Sequence, residues 1–223
     1  MTIIFWNKIA LIKEDTHRTK WIPQTGRLDH DQALLNLVLP HIPLHGTVID
    51  IGANIGDHTI AYLKKVGSEG HVVAFEPHPE VYECLKINVP EAESYPYAIS
   101  DKEETLNLVL RPNTGESYCT TTNLNESVPI KAVTLDSFKF SSVDLIKIDV
   151  EGYELQTLKG ARQTLIKCKP RMVIEINDNV FKRTGGNRQD IYTFLEELSY
   201  DFKPIQPGTK LSSERIDLLA IQK

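Results

Sequence analysis

The feature that most constrains this chain is a run of apolar strands that alternate with helical periodicities from Thr47 onward. Residues 47–51, 71–75, 143–148 and 172–176 are nearly continuous apolar runs, with a shorter one at 95–99. Between and after them, residues 57–66, 79–89, 153–167 and 189–199 carry apolar side chains at helical spacing. In the last of these Ile191, Phe194, Leu195 and Leu198 stand at i, i+3, i+4 and i+7. Strands without polar alternation are buried on both faces. The pattern therefore predicts an α/β fold with a mostly parallel sheet and helices on both faces. Such sheets bind ligands just outside the carboxyl ends of their strands, where strand order reverses. The residues that follow each strand are therefore the ones to read for chemistry.

Two regions depart from the alternation. Residues 106–110 and 128–135 read as an extra β-hairpin between the third and fourth strands, joined by the polar segment 111–127. A connection that long inside a compact domain is usually functional or disordered. Before the alternation, residues 3–6 and 9–12 read as short strands and 31–39 as a short helix stopped by Pro40. The expected organisation is one globular unit, with 1–46 supplying N-terminal strands and a cleft-covering helix and 47–223 the α/β domain. His30 and Asp31 open that helix and are worth testing. A late strand is expected at 216–221.

The first strand runs into Asp50-Ile51-Gly52-Ala53-Asn54-Ile55-Gly56. Glycines there allow a tight turn and close approach of a ligand, and free N–H groups at a helix start favour polar or anionic groups. A phosphate-binding P-loop would end Gly-Lys-Ser/Thr, whereas this loop continues Gly56-Asp57-His58. A dinucleotide fingerprint would need glycine at Asn54 and Asp57. An adenosylmethionine loop, Asp/Glu-x-Gly-x-Gly/Asn-x-Gly, is satisfied by Asp50, Gly52, Asn54 and Gly56. Glu76, followed by Pro77, ends the second strand and can accept hydrogen bonds from ribose hydroxyls. That role is common to adenosylmethionine and NAD enzymes. Ser100 and Asp101 follow the third strand and are candidates to lie beside an adenine; a loop-capping role for Asp101 is an equal alternative.

At the fourth strand end, Asp149-Val150-Glu151-Gly152 brackets one residue with two carboxylates. Carboxylates there are costly unless they bind something or find partners. Helix capping is the plain alternative. The fifth strand ends Glu175-Ile176-Asn177-Asp178, whose polar groups are expected to face the same cleft. Oxygen ligands of this kind suit Mg²⁺ or Mn²⁺, which makes Asp149 and Glu175 candidate metal ligands. Lys147, between Ile146 and Ile148, is read as a buried lysine paired with one of these carboxylates. His58 and His78 follow cofactor-side positions and are read as structural.

Composition narrows the partners. With 223 residues, 41% hydrophobic and 25% charged, the chain can bury a full core. The net charge of −5 argues against a nucleic-acid substrate, which usually demands a basic face. No apolar run approaches the roughly 18 residues of a membrane helix, and the N-terminus lacks the pattern of a secretory leader. Cys84, Cys119 and Cys168 show no metal or disulfide spacing, consistent with reduced thiols. A cytoplasmic location, without membrane or nucleic-acid partners, is expected. A homodimer is compatible with the sequence, which does not fix the oligomeric state.

In order along the chain stand Asp50-x-Gly-Ala-Asn-x-Gly56, Phe75-Glu-Pro-x-Pro79 with Leu85-x-x-Asn88, Thr134-Leu-Asp136, and Ile146-Lys-Ile-Asp-Val-Glu-Gly-Tyr-Glu-Leu155 with Leu158-Lys-Gly-Ala161. Together they resemble the FkbM family of methyltransferases. The resemblance implies a class I methyltransferase (Rossmann-like) fold, with a seven-stranded sheet whose last strand is antiparallel. It implies S-adenosylmethionine as cofactor and O-methylation of a hydroxyl on a sugar, a glycan or a polyketide-like natural product. It also implies that Gly52, Asn54, Gly56 and Glu76 hold the cofactor and that Asp149 lies near its methyl group. Asp149 or Glu151 would orient or deprotonate the acceptor hydroxyl. A non-catalytic adenosylmethionine-binding module, an NAD-dependent oxidoreductase, and a methyltransferase with another small-molecule or protein acceptor remain as alternatives.

Overall fold

The computed structural model describes residues 1–29, 31–122, 124 and 127–223; His30, Asn123, Asn125 and Glu126 lie outside it. The chain opens with an antiparallel hairpin, β1 (Ile3–Trp6) and β2 (Ile9–Ile12), followed by α1 (Arg18–Thr25) and α2 (Gln32–Val38). The alternation then runs β3 (Thr47–Ile51), α3 (Thr59–Val66), β4 (His71–Phe75), α4 (Pro79–Asn88) and β5 (Glu93–Tyr95). Four short strands interrupt it: β6 (Ala98–Ile99), β7 (Glu104–Val109), β8 (Tyr118–Thr120) and β9 (Ser127–Val133). It resumes with β10 (Leu145–Ile148), α5 (Glu154–Gly160), α6 (Arg162–Cys168), β11 (Arg171–Asn177), α7 (Asp178–Thr184) and α8 (Arg188–Glu197). The chain closes with β12 (Tyr200–Pro204) and β13 (Arg215–Gln222).

The main sheet has seven strands in the order β12-β13-β11-β10-β3-β4-β5. Its strands from β11 to β5 are parallel, and β13 runs antiparallel to both β11 and β12. The order reverses between β3 and β10, which puts the expected ligand crevice at their carboxyl ends. Apolar side chains fill both faces. Ile49, Ile51, Phe75, Ile146 and Ile174 pack with Leu158, Leu165, Phe194 and Leu195 on one side. Val48, Val72, Leu145 and Val173 pack with Leu35, Val38, Ala61 and Tyr62 on the other.

The N-terminal hairpin packs Ala10, Leu11 and Ile12 against Val81, Cys84 and Leu85 of α4, and one polar side chain ties the two together. Asn88 Nδ2 donates to the carbonyls of Ala10 (3.0 Å) and Ile55 (2.9 Å), while its Oδ1 accepts from Ala10 N–H (2.7 Å). No helix among the described residues is long and apolar enough to cross a membrane.

Three expectations change. The strand expected at 95–99 divides at Pro96 and Tyr97. Proline cannot donate to a ladder, and Ala98–Ile99 leaves the main sheet to pair with β9. The insertion is therefore not a lone hairpin but part of a four-stranded sheet, β6-β9-β7-β8. The helix expected at 153–167 breaks at Ala161, next to the point where Gly160 lies against strand β6's end. A Cβ on Gly160 would fall 1.9 Å from the Ser100 carbonyl oxygen. Helices α1 and α7 were not foreseen: Pro23 lies inside the first, a residue that normally ends a helix, and the second is only seven residues.

Candidate active site

A cleft of about 530 Å³ opens at the carboxyl ends of β3, β4, β10 and β11. Gly52 is where the first strand's loop meets the fourth strand's end. Its φ is 85°, and a Cβ there would sit 1.8 Å from the Asp149 carbonyl oxygen. Only glycine permits that approach. The next loop residue with positive φ is Asn54, at 50°. Its backbone N–H donates to Glu76 Oε2 at 2.9 Å, and the His78 N–H donates to Glu76 Oε1 at 2.8 Å. Burial pushes the Glu76 carboxyl up to about 7, against the pull of those two N–H groups.

Asp50, Gly52, Ala53, Asn54, Glu76 and Pro77 all line the cleft. Asp50 is buried and accepts from Thr59 Oγ1 at 2.7 Å, so its carboxylate braces the start of α3. Gly56 shapes the loop from behind, without lining the cleft. Ser100 and Asp101 do not line it either: the Ser100 hydroxyl donates to Glu104 Oε1 at 2.9 Å, and Asp101 is exposed. The departure of β6 into the second sheet carries both residues away. Tyr97, Ala98 and Ile99 line the cleft in their place. Tyr97 stacks on Tyr95, which stacks on Phe75. The Tyr-Pro-Tyr sequence at 95–97 was the available signal for this wall.

Strand register explains the opposite end. Lys147 faces Asp50 across the β10–β3 pair, and Glu175 faces Asp217 across β11–β13. Residues two apart on a strand share a face, so Lys147 and Asp149 point the same way. The lysine is 1% exposed, with Nζ 3.1 Å from Asp149 Oδ2. Burial alone would lower its pKa, but Asp149, Asp217, Glu175 and Asp50 together hold it above the usual lysine value. Burial disfavours the Asp149 anion; Lys147 more than offsets this and keeps the carboxyl below its ordinary range.

Glu151 occupies a left-handed backbone position, φ 52°, rare for a residue of this type. Burial, then Asp149 and Glu154, push its carboxyl up to about 8. Burial and Asp149 likewise raise Glu175, against Lys147 and Arg215.

Carboxylate oxygens of Asp149, Glu151 and Glu175 converge within 4.8 Å of one another. Each already faces a cation. Lys147 lies 3.1 Å from Asp149, and Arg183 3.7 Å from Glu151. Arg215 reaches Glu175 through Nε at 2.9 Å and Nη2 at 3.2 Å, occupying both oxygens. The spacing of the three carboxylates is one that could hold an ion, and one oxygen of Asp149 and those of Glu151 carry no hydrogen bond from these cations. A divalent ion at Asp149 and Glu175 would have to displace Arg215 from both Glu175 oxygens. Asn177 lines the cleft and caps α7, accepting from Asn179 N–H at 3.1 Å, whereas Asp178 turns away to Arg188 Nε at 2.7 Å. His58 lines the cleft; His78 is buried outside it, 3.2 Å from Glu80.

The N-terminal segment and the insertion form the roof. Arg18, on α1, reaches Asp57 Oδ2 at 2.9 Å and Asp15 Oδ2 at 3.5 Å. Thr114 donates to the same Asp15 oxygen at 2.6 Å. Residues Asn113 to Ser117 thereby sit over the cofactor-side loop and line the cleft, as do His17, Asp31 and Leu34. Arg18 and Thr114 carried no sequence signal, because they meet across 96 residues.

Comparison with known proteins decides the family. The Methyltransferase FkbM domain matches residues 50–202. This chain belongs to the FkbM methyltransferase family. Hexuronic acid methyltransferase AglP of Haloferax volcanii is 25% identical over 75% of this chain and 68% of its own length. Methyltransferase sdnD of Sordaria araneosa is 24% identical over 73% of this chain and 76% of its own length. Among solved structures, methyltransferase FkbM from Methylobacillus flagellatus superposes with a TM-score of 0.54 at 16% identity, over 79% of this chain. This FkbM chain spans only 43% of that protein, so the likeness speaks for the α/β fold alone.

Proposed function

We propose that this FkbM methyltransferase uses S-adenosylmethionine to methylate a hydroxyl oxygen of a small acceptor, a sugar or a sugar-bearing or polyketide-like natural product. The observation that carries this reading is the pairing of an ionised Asp149 with a ribose-ready Glu76 across one close backbone contact at Gly52. Each Glu76 oxygen accepts one backbone N–H, which leaves each a lone pair for a ribose hydroxyl. The cleft volume suits a ligand of that size. These features fit the cofactor: Glu76 would hold its ribose, Gly52 to Asn54 its amino-acid side, and Tyr97 to Ile99 its base. The cofactor supplies an electrophilic methyl group on a sulfonium.

The protein must hold the acceptor oxygen and take its proton. Asp149 is suited to both. Lys147 keeps it ionised, and one oxygen stays available for a hydroxyl. Glu151, with its raised pKa, can donate a hydrogen bond to another acceptor oxygen. Positioning of this kind contributes on the order of 7–11 kcal/mol in favourable cases. The hexuronic acid relative supports a sugar-type acceptor. Incubation with labelled S-adenosylmethionine and a panel of monosaccharides and glycosides tests the reading. Label in a base-stable ether product and formation of S-adenosylhomocysteine are expected. Thermal stabilisation by NAD and not by S-adenosylmethionine would overturn it.

A further inference from the structure

Arg183 lines the cleft, and just outside its lining Tyr118 and Arg111 stand beside it, so that two guanidinium groups meet one aromatic ring. Arg183, on α7, lies over Tyr118 at 5.3 Å from its centroid, and Arg111 lies over the same ring at 5.5 Å. Neither arrangement follows from neighbouring sequence, since β8 carries the tyrosine and α7 belongs to the main sheet's side of the cleft. Like charges gathered on one ring repel, and in other clusters of this protein each arginine is matched by carboxylates. Arg18 has Asp15 and Asp57, Arg215 has Glu175, and Arg188 has Asp178.

The pair on Tyr118 is not matched. Arg183 has a single acidic neighbour among the described residues, Glu151, whose oxygen lies 3.7 Å from Nη2, beyond hydrogen-bond reach. Arg111 has no ion pair among the described residues, and its Nε is buried without a hydrogen-bond partner. Its backbone N–H is tied to Ser117 Oγ at 3.1 Å, which fixes the arginine at the base of the roof segment. A cation over a ring face is held without using its N–H donors. Arg183 lines the cleft and its side chain is 39% exposed, so its donors are open to a ligand that extends outward from Asp149.

We propose that Arg183, held on Tyr118 with Arg111 as a positioning residue on the same ring, forms the subsite for an anionic oxygen group of the acceptor, a carboxylate on the sugar or a phosphate on its anomeric carbon. The inference rests on the sugar O-methyltransferase reading above and narrows it to a charged acceptor. Guanidinium donors in a fixed plane suit both groups, because each offers paired oxygens at matching spacing. Glu151 links the subsite to the reaction centre: it is Arg183's neighbour and shares its carboxylate cluster with Asp149.

The test uses the full chain loaded with S-adenosylhomocysteine, and calorimetry with glucuronic acid, glucose 1-phosphate and glucose as probes. Failure of S-adenosylhomocysteine to bind would count against the cofactor reading, independently of this subsite. With the cofactor product bound, at least one charged probe should bind about tenfold tighter than glucose, the difference expected of one charge-assisted pair. Which of the two does so separates a carboxylate from a phosphate acceptor. Arg183→Gln should erase the preference and Arg111→Gln should weaken it, both with S-adenosylhomocysteine affinity intact. Lys182→Gln should keep the preference, because that neighbouring lysine faces Glu214 instead, at 3.6 Å. Arg183→Lys should restore part of it. No preference for either charged probe over glucose, absence of binding included, overturns the proposal. So does a preference that survives Arg183→Gln.

Discussion

At the β3–β4 end of the cleft, the ligand-facing groups are backbone, or are fixed by backbone. Glu76 is held by two peptide N–H groups, and the loop's shape depends on positive φ at Gly52 and Asn54. At the β10–β11 end the wall is made of side chains opposed by side chains: Lys147 to Asp149, Arg183 to Glu151, Arg215 to Glu175. The first construction suits a ligand that never changes, because peptide geometry is rigid. The second can be retuned by single substitutions. The two meet at one contact, Gly52 against the Asp149 carbonyl.

The comparison assigns chemistry to one end and cofactor affinity to the other, and Asp149→Asn should separate them most widely. The substitution keeps shape and removes the base, so turnover should fall by about 10²–10⁴-fold. Calorimetric affinity for S-adenosylmethionine should change little. A variant with near-normal turnover would dissolve the distinction. Gly52→Ala attacks the junction itself. A methyl group forced to 1.8 Å from a carbonyl, at φ 85°, must displace backbone. A loss of about 3 kcal/mol or more in denaturant unfolding is expected, and an unchanged melting transition would mean that the two loops are not rigidly joined.

The same contrast explains what could be read from sequence. The β3–β4 end is local: Asp50 to Gly56 is one contiguous loop, and Glu76 follows the next strand. Its glycines announce backbone constraints that few folds share. The carboxylates of β10 and β11 were visible for the same reason, as polar residues closing apolar strands. Their partners were not. Arg183 lies on a seven-residue helix, and Arg215 pairs with Glu175 only through the antiparallel β11–β13 register. Arg18 and Thr114 meet across most of the first half of the chain. Ser100 and Asp101 lie off the cleft lining because β5 ends at Tyr95 and Pro96 turns the chain toward the second sheet, a break that an apolar run at 95–99 does not display. The convergence of Asp149 and Glu175 was legible, but the cations that face them were not, since sequence displays carboxylates and not their partners.

Glu76 sharpens the cofactor side. Burial raises its folded pKa from 4.5 to about 7. Between those values the unfolded chain loses the proton first. This group's contribution to stability therefore falls as pH rises from about 4.5 through about 7, then levels. If Glu76 holds the ribose as proposed, ligand binding should show the opposite slope, because an ionised carboxylate would accept both hydroxyls. Affinity for S-adenosylmethionine should rise up to about tenfold between about pH 6 and 8. Glu76→Gln should bind about tenfold more weakly and lose the pH slope, while saturated turnover stays within a few-fold. A variant with unchanged affinity would remove Glu76 from the ribose.

The smallest expected effect is none. If Lys147 and Arg215 hold Asp149 and Glu175 in use as they do in the structure, exhaustive chelation with EDTA should leave turnover unchanged, and added Mg²⁺ or Mn²⁺ should not raise it. The strength of this test lies in Arg215. Its two nitrogens occupy both oxygens of Glu175, so Arg215→Gln would release a carboxylate into the cluster. That variant should become the form that binds Mn²⁺, detectable by electron paramagnetic resonance, while the unaltered protein does not. Activity lost to EDTA and restored by Mn²⁺ in the unaltered protein would mean that the ion pairs open in use. The acceptor end would then be a metal centre held closed by its own arginine.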